Sequence, residues 1–106
     1  MKLSWSHTVL NIKDADKMLD FYIGTLGFHI SDRGPLAEKG PEIIFMSQDP
    51  NEHHQIGLIV SREDEGPSNS LNHLSFRVES FEDIKIIKKG ADVKVIPFVL
   101  SSEHYE

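Results

Sequence analysis

Two segments of this 106-residue chain repeat one another, and each carries a histidine at the same position. The first segment runs from Ser6 to Ile12 and the second from Asn72 to Val78. At one constant spacing, the matched pairs are His7 with His73, Leu10 with Phe76, Ile12 with Val78 and Asp16 with Glu82. An internal repeat indicates one supersecondary unit used twice. Two such units side by side would bring the two imidazoles near a shared axis, where they could bind a metal ion.

Composition narrows the possible classes of function. A chain of 106 residues is expected to form one domain, and its formal charge of −6 argues against binding nucleic acid through phosphates. The absence of cysteine excludes disulfides and thiolate metal sites. No secretory signal is visible and no apolar run is long enough to span a membrane. We therefore expect a cytoplasmic protein without nucleic-acid or membrane partners.

The first module is predicted over residues 1–60. Strand alternation puts His7, Val9 and Asn11 on one face of the first strand. A helix of about three turns is predicted from an N-cap at Asp14 to a left-handed Gly27. Its buried stripe comprises Ala15, Met18, Leu19, Tyr22 and Leu26. Three more strands are predicted at 28–31, 42–47 and 54–60, with a loop over 33–41.

A partial second module is predicted over residues 71–100, after a polar linker over 61–70. It comprises a strand over 71–79, a helix over 81–89 and a strand over 93–100. By analogy with the first module, two further strands are missing, so we expect a second module that is truncated at its C-terminal end. The fold class is therefore α+β, with two β-α-β-β-β modules of which the second is incomplete.

The helix exit resembles a motif of a known superfamily. Residues Phe21 to Phe28 match the pattern F-Y-x-x-x-L-G-F of the vicinal oxygen chelate superfamily, which includes glyoxalase I, the bleomycin resistance proteins and the extradiol ring-cleaving dioxygenases. The paired modules, each with a histidine on its first strand, are similar to that superfamily as well. The resemblance implies a curved mixed sheet that forms an open cleft.

Within that superfamily, the pair His53-His54 resembles the extradiol dioxygenases most closely. The resemblance implies that His54 is the acid-base residue and that His7 and His73 are two ligands of Fe(II). It also implies a catechol-like aromatic diol as the substrate. Imidazole ligands suit Mn, Zn and Ni too, so the two histidines alone do not select the metal. Glyoxalase I places a carboxylate ligand where this chain has Gly57, which argues against that chemistry.

The chain departs from the dioxygenase pattern at two points. The third ligand, a carboxylate, normally lies on the last strand of the second module, and Glu103 and Glu106 have no spacing that qualifies them. Strict alternation also puts His54 on the face opposite Gln55 and Gly57, so a twist or bulge is needed to turn it inward.

Other interpretations stay open at this point. His7 and His73 could be polar residues on a solvated sheet face, with no metal held. The second candidate function is a non-catalytic member that binds small aromatic or hydrophobic molecules, and the third is a glyoxalase-like lyase. In each case we expect a homodimer, because missing strands would leave a sheet edge and apolar surface uncovered.

Overall fold

The computed structural model describes residues 1–64, 66, 71 and 73–90 of the chain. The chain divides into two compact units, Met1–Leu74 and Ser75–Glu106. Within the described residues, no helix combines the length and the apolar character that crossing a bilayer requires.

The first unit contains a four-stranded mixed sheet in the order β1-β4-β3-β2. Its strands are β1 (Thr8–Ile12), β2 (His29–Pro35), β3 (Glu42–Ser47) and β4 (Ile56–Val60). Strand β1 runs parallel to β4, whereas β4 with β3 and β3 with β2 are antiparallel pairs. The sheet is open, with β1 and β2 at its edges among the described strands. The predicted α+β class and the β-α-β-β-β order of the first module are confirmed.

The helix between β1 and β2 begins and ends where the sequence predicts. The side chain of Asp14 accepts a hydrogen bond from the backbone N–H of Lys17 at 3.1 Å, so it caps α1 (Ala15–Leu19). The helix then continues as a π-helical segment, Asp20–Thr25. Gly27 ends it with a φ of 79°, a left-handed conformation that glycine adopts without steric cost.

The core lies between this helix and one face of the sheet. Ile44, Met46 and Leu58 are fully buried, and the whole predicted helix stripe packs with them. Burying an aliphatic side chain of this size contributes about 1.5–3 kcal/mol. The buried cluster comprises Ile12, Tyr22, Phe28, Ile44, Met46, Ile56 and Leu58.

The opposite face of the sheet carries a row of directly paired residues, one from each strand. Val9 pairs with Gly57, Gly57 with Phe45, and Phe45 with Asp32. Paired residues project from the same face of a sheet. This face is therefore the one predicted to carry His7, Val9 and Asn11.

Two strand bounds differ from the prediction for physical reasons. Strand β2 extends to Pro35, although Gly34 and Pro35 had indicated a loop. Proline is tolerated at an edge, and the Arg33–Glu42 ion pair at 2.9 Å holds β2 against β3. Strand β4 begins at Ile56 instead of at His54.

In the second part of the chain, the helix is confirmed as α2 (Phe81–Gly90). The strand predicted over 71–79 is wrong for the residues described there, since 73–78 form no regular structure. Apolar alternation gives a strand only where a neighbouring strand supplies hydrogen bonds. The predicted strand over 93–100 lies outside the described residues.

Candidate functional site

Three rings meet on the sheet face that lies away from the core. The rings of His7 and His54 contact edge to face, with centroids 4.2 Å apart. The ring of Phe45 lies 4.3 Å from that of His54, tilted by 33°. A fourth ring, that of His53, has its centroid 5.4 Å from that of Phe45 and 5.1 Å from that of His54. We refer to His7, Phe45, His53 and His54 as the ring cluster.

His54 reaches this face because it precedes its strand. Strand alternation would have pointed its side chain toward the core face, but β4 begins only at Ile56. The backbone at 54 is therefore free of that constraint. The side chain of His54 therefore points toward the site face, as the metal-site hypothesis requires, and β4 needs no bulge to place it there.

The environment of His54 favours its neutral form. Partial burial lowers the pKa of its imidazole, and positive charge on His7 and His53 lowers it further, against a smaller opposite effect of Glu52. A neutral imidazole has one ring nitrogen that accepts a hydrogen bond. His54 can therefore accept a hydrogen bond, or a proton, from a hydroxyl group at neutral pH.

His7 lies just before β1 and is exposed, and its Nδ1 is 2.9 Å from Oγ of Ser6. His73 is also exposed and directly precedes Leu74, which packs against the core. The predicted pairing of His7 with His73 at a metal stays a prediction. Among the residues that the structure describes, no group of three or more histidines and carboxylates is arranged to hold a metal ion. The described residues thus do not form the complete donor set of two histidines and one carboxylate.

Gly57 sits at the centre of the site face, in close contact with two side chains. A Cβ at this position would lie 3.2 Å from Cγ2 of Val9 and 3.3 Å from the ring of Phe45. The space that a carboxylate ligand on β4 would need is therefore already occupied. This packing adds to the sequence argument against chemistry of the glyoxalase I kind.

An open hollow of about 300 Å³ adjoins the ring cluster. Phe45, Ile43, Leu36 and Pro35 form its apolar lining, with Asp32 and Arg33 as its charged groups. Arg33 is compensated by Glu42 at 2.9 Å, whereas Asp32 lies 3.5 Å from His53, an imidazole that compensates it only when protonated. The hollow therefore disfavours an anionic ligand, and volumes of this size are typical of small-ligand sites.

A second open hollow, of about 500 Å³, is lined by His29, Ser47, Asp49, Glu52 and His53 among others. It lacks the Phe45 ring that links the first hollow to His54. The first hollow is therefore the better candidate for an aromatic ligand.

Two residues of this site were not identified from the sequence. Phe45 could have been placed on this face by alternation in β3, once the order of the strands was known. Asp32 had no such signal, because its position depends on an irregularity in β2.

Comparison with known proteins gives two matches. The sequence model of the Glyoxalase/Bleomycin resistance protein/Dioxygenase superfamily matches residues 4–99. The crystal structure of the glyoxalase family protein from Enterococcus faecalis is similar, with a TM-score of 0.66 and 19% identity, covering 95% of this chain and 81% of that one. At this identity the likeness concerns the fold alone. No curated protein matches the chain significantly.

Proposed function

We propose that this chain, which belongs to the Glyoxalase/Bleomycin resistance protein/Dioxygenase superfamily, binds a small aromatic diol of the catechol type against the ring-cluster face of its sheet. The observation that carries the proposal is the meeting of His7, Phe45 and His54 beside an open hollow that is partly lined by apolar side chains.

Each part of the site fits one part of such a ligand. The apolar lining of the hollow would bury a flat aromatic ring, and aromatic pairs contribute about 0.5–1.5 kcal/mol beyond the area that they bury. The neutral imidazole of His54 would accept a hydrogen bond from a ring hydroxyl. Compensation of Arg33 by Glu42 disfavours an anionic ligand.

Titration of catechol into the metal-free protein, followed by calorimetry, tests the proposal. Cyclohexane-1,2-diol is the matched control, because it keeps both hydroxyls and lacks the aromatic ring. Binding of catechol but not of cyclohexane-1,2-diol is the expected result. No binding of catechol, or equal binding of the two diols, would reject the proposal.

A second candidate function is extradiol-type ring cleavage with non-haem Fe(II), which the contact between His54 and His7 favours. In that case His7 and His73 would be two of the metal ligands, with His54 beside them as the acid-base residue. A carboxylate outside the described part of the chain would have to complete the donor set.

Anaerobic loading with Fe(II) separates the two candidates. Uptake that is lost in both His7→Ala and His73→Ala, followed by oxygen-dependent loss of catechol, would favour ring cleavage. Catechol binding without any histidine-dependent metal uptake would favour a binding protein. Metal content measured with Mn(II), Zn(II) and Ni(II) would show whether another divalent ion takes the place of Fe(II).

A further inference from the structure

A chain of polar contacts leads from His54 to a carboxylate on the neighbouring edge strand. Nδ1 of His53 lies 2.8 Å from Nδ1 of His54, and Nε2 of His53 lies 3.5 Å from Oδ2 of Asp32. The two ring nitrogens of His53 thus face different partners. This arrangement couples Asp32 to His54 through one imidazole.

A bulge in β2 is what brings Asp32 to this face. Ile30 pairs with Met46, but the next pair is Asp32 with Phe45, so Ser31 is an extra residue. Regular pairing would instead put Asp32 opposite Ile44, whose side chain is in the core. A shift of one residue turns a side chain to the other face of a sheet, and bulges commonly re-aim side chains in this way.

The backbone then orients the Asp32 carboxylate. Its Oδ1 accepts a hydrogen bond from the backbone N–H of Arg33 at 2.8 Å, which leaves Oδ2 for His53. An ionised carboxylate can only accept hydrogen bonds. At 3.5 Å the contact with His53 is electrostatic, and the carboxylate favours the tautomer of neutral His53 that carries its hydrogen on Nε2.

The position of the hydrogen on His53 determines the position of the hydrogen on His54. In neutral His53, a hydrogen on Nε2 makes Nδ1 an acceptor, so Nδ1 of His54 must be the donor in the short contact. The remaining nitrogen of neutral His54, Nε2, then carries no hydrogen. We infer that Asp32 and His53 are positioning residues that fix the tautomer of His54, so that its Nε2 accepts the hydrogen bond from a ligand hydroxyl. The role in ligand binding rests on the proposed function, whereas the tautomer itself does not.

Nitrogen-15 NMR of the ligand-free protein tests the tautomer directly. Spectra at about pH 8, above the ordinary imidazole pKa of about 6.5, should show His54 with its hydrogen on Nδ1. Asp32→Asn removes the negative charge that favours a hydrogen on Nε2 of His53. His54 should then lose its preference for a hydrogen on Nδ1.

Glu52→Gln is the matched control, because Glu52 influences His54 by its charge, whereas Asp32 lies 3.5 Å from Nε2 of His53. This variant should keep the wild-type tautomer. A His54 hydrogen on Nε2 in the wild type, or an unchanged tautomer in Asp32→Asn, would overturn the inference. The side chain of Asp32 is 63% exposed, so the substitution should leave the fold intact.

A second variant, His53→Phe, keeps a ring beside Phe45 and removes the acceptor nitrogen. His54 should then lose its preference for Nδ1–H, and retention of that preference would contradict the inference. Catechol affinity should fall about tenfold in Asp32→Asn, the effect of one hydrogen bond, and stay unchanged in Glu52→Gln. If the tautomer behaves as stated and the wild type binds no catechol, the proposed function alone fails. If catechol binds and the tautomer of His54 is the same in Asp32→Asn as in the wild type, this inference alone fails.

Discussion

The imidazole of His54 meets that of His7 edge to face, with ring centroids 4.2 Å apart, although strand alternation would direct the two side chains to opposite faces of the sheet. The contact is possible because His54 lies before the start of β4. It brings the imidazole of His54 against the ring of Phe45, a residue that also lines the open hollow.

Replacement of His54 should weaken ligand binding selectively. His54→Gln should lower catechol affinity about tenfold, because one hydrogen bond to the ligand is lost or misdirected. His29→Gln is the control, since His29 is exposed and lies outside the ring cluster. Calorimetric titration of both variants checks this prediction, and an equal loss in the two would contradict it.

Catechol binding should depend on pH through His54. Its pKa is lowered, chiefly by burial, so the neutral form persists to below the ordinary imidazole value of about 6.5. Catechol affinity should be at its maximum at neutral pH and should decline as the pH falls through the lowered pKa. A pH series of titrations measures this decline. Affinity that instead rises on acidification would show that protonated His54 is the binding form.

The same shift links His54 to protein stability. In the unfolded chain the imidazole takes up a proton at a higher pH than in the folded protein. The contribution of His54 to stability is thus present above the unfolded pKa and is lost as the pH falls through the folded pKa. As the pH falls through this range, the free energy of unfolding measured with urea should decline less in His54→Gln than in the wild type. Identical pH profiles would contradict the lowered pKa.

Much of the first unit could be predicted from the sequence, because its local signals agree with one another. The cap at Asp14, the helical stripe and the left-handed Gly27 predicted the helix, and the apolar run within Glu42–Ser47 predicted β3 with its observed bounds. The resemblance to the superfamily was confirmed by the match over residues 4–99.

The site was less predictable because it depends on irregular backbone. The bulge at Ser31 turns Asp32 toward the histidines, and no residue there signals it. The approach of His54 depends on where β4 begins, which alternation alone does not give. The pairing of His7 with His73 depends on how two distant segments meet, and it stays a prediction, as do the iron ligands.

Substitution of Gly27 tests the turn within the motif Phe21 to Phe28. Gly27→Ala should lower the free energy of unfolding by about 1–2 kcal/mol, the cost of a left-handed conformation for a residue with a side chain. Gly34→Ala is the control. An added Cβ meets no atom within 4 Å at either of these two glycines, and of the two Gly27 alone has a positive φ. Urea unfolding of both variants makes the comparison, and equal losses would contradict it.

Substitution of Gly57 tests the packing of the site face. Gly57→Ala should lower the free energy of unfolding by about 1–3 kcal/mol through overpacking against Val9 and Phe45. The double variant Gly57→Ala with Val9→Ala should recover part of that loss, because the closest contact, 3.2 Å to Val9, is removed. Additive losses in the double variant would show that the two positions do not compete for space.

The homodimer expected from the sequence stays a prediction. Among the described strands, β1 and β2 are edges of an open sheet, and such edges can pair with another chain. Sedimentation at micromolar concentration should show a dimer, and a single monomeric species would contradict it.

The central claim is that an aromatic diol binds at the ring cluster, and NMR mapping of a catechol titration tests it most directly. The imidazole resonances of His54 and His7 and the ring resonances of Phe45 should shift together in a saturable manner, while those of His29 stay unchanged. Saturable shifts confined to other parts of the chain, or no shifts at any catechol concentration, would contradict the account.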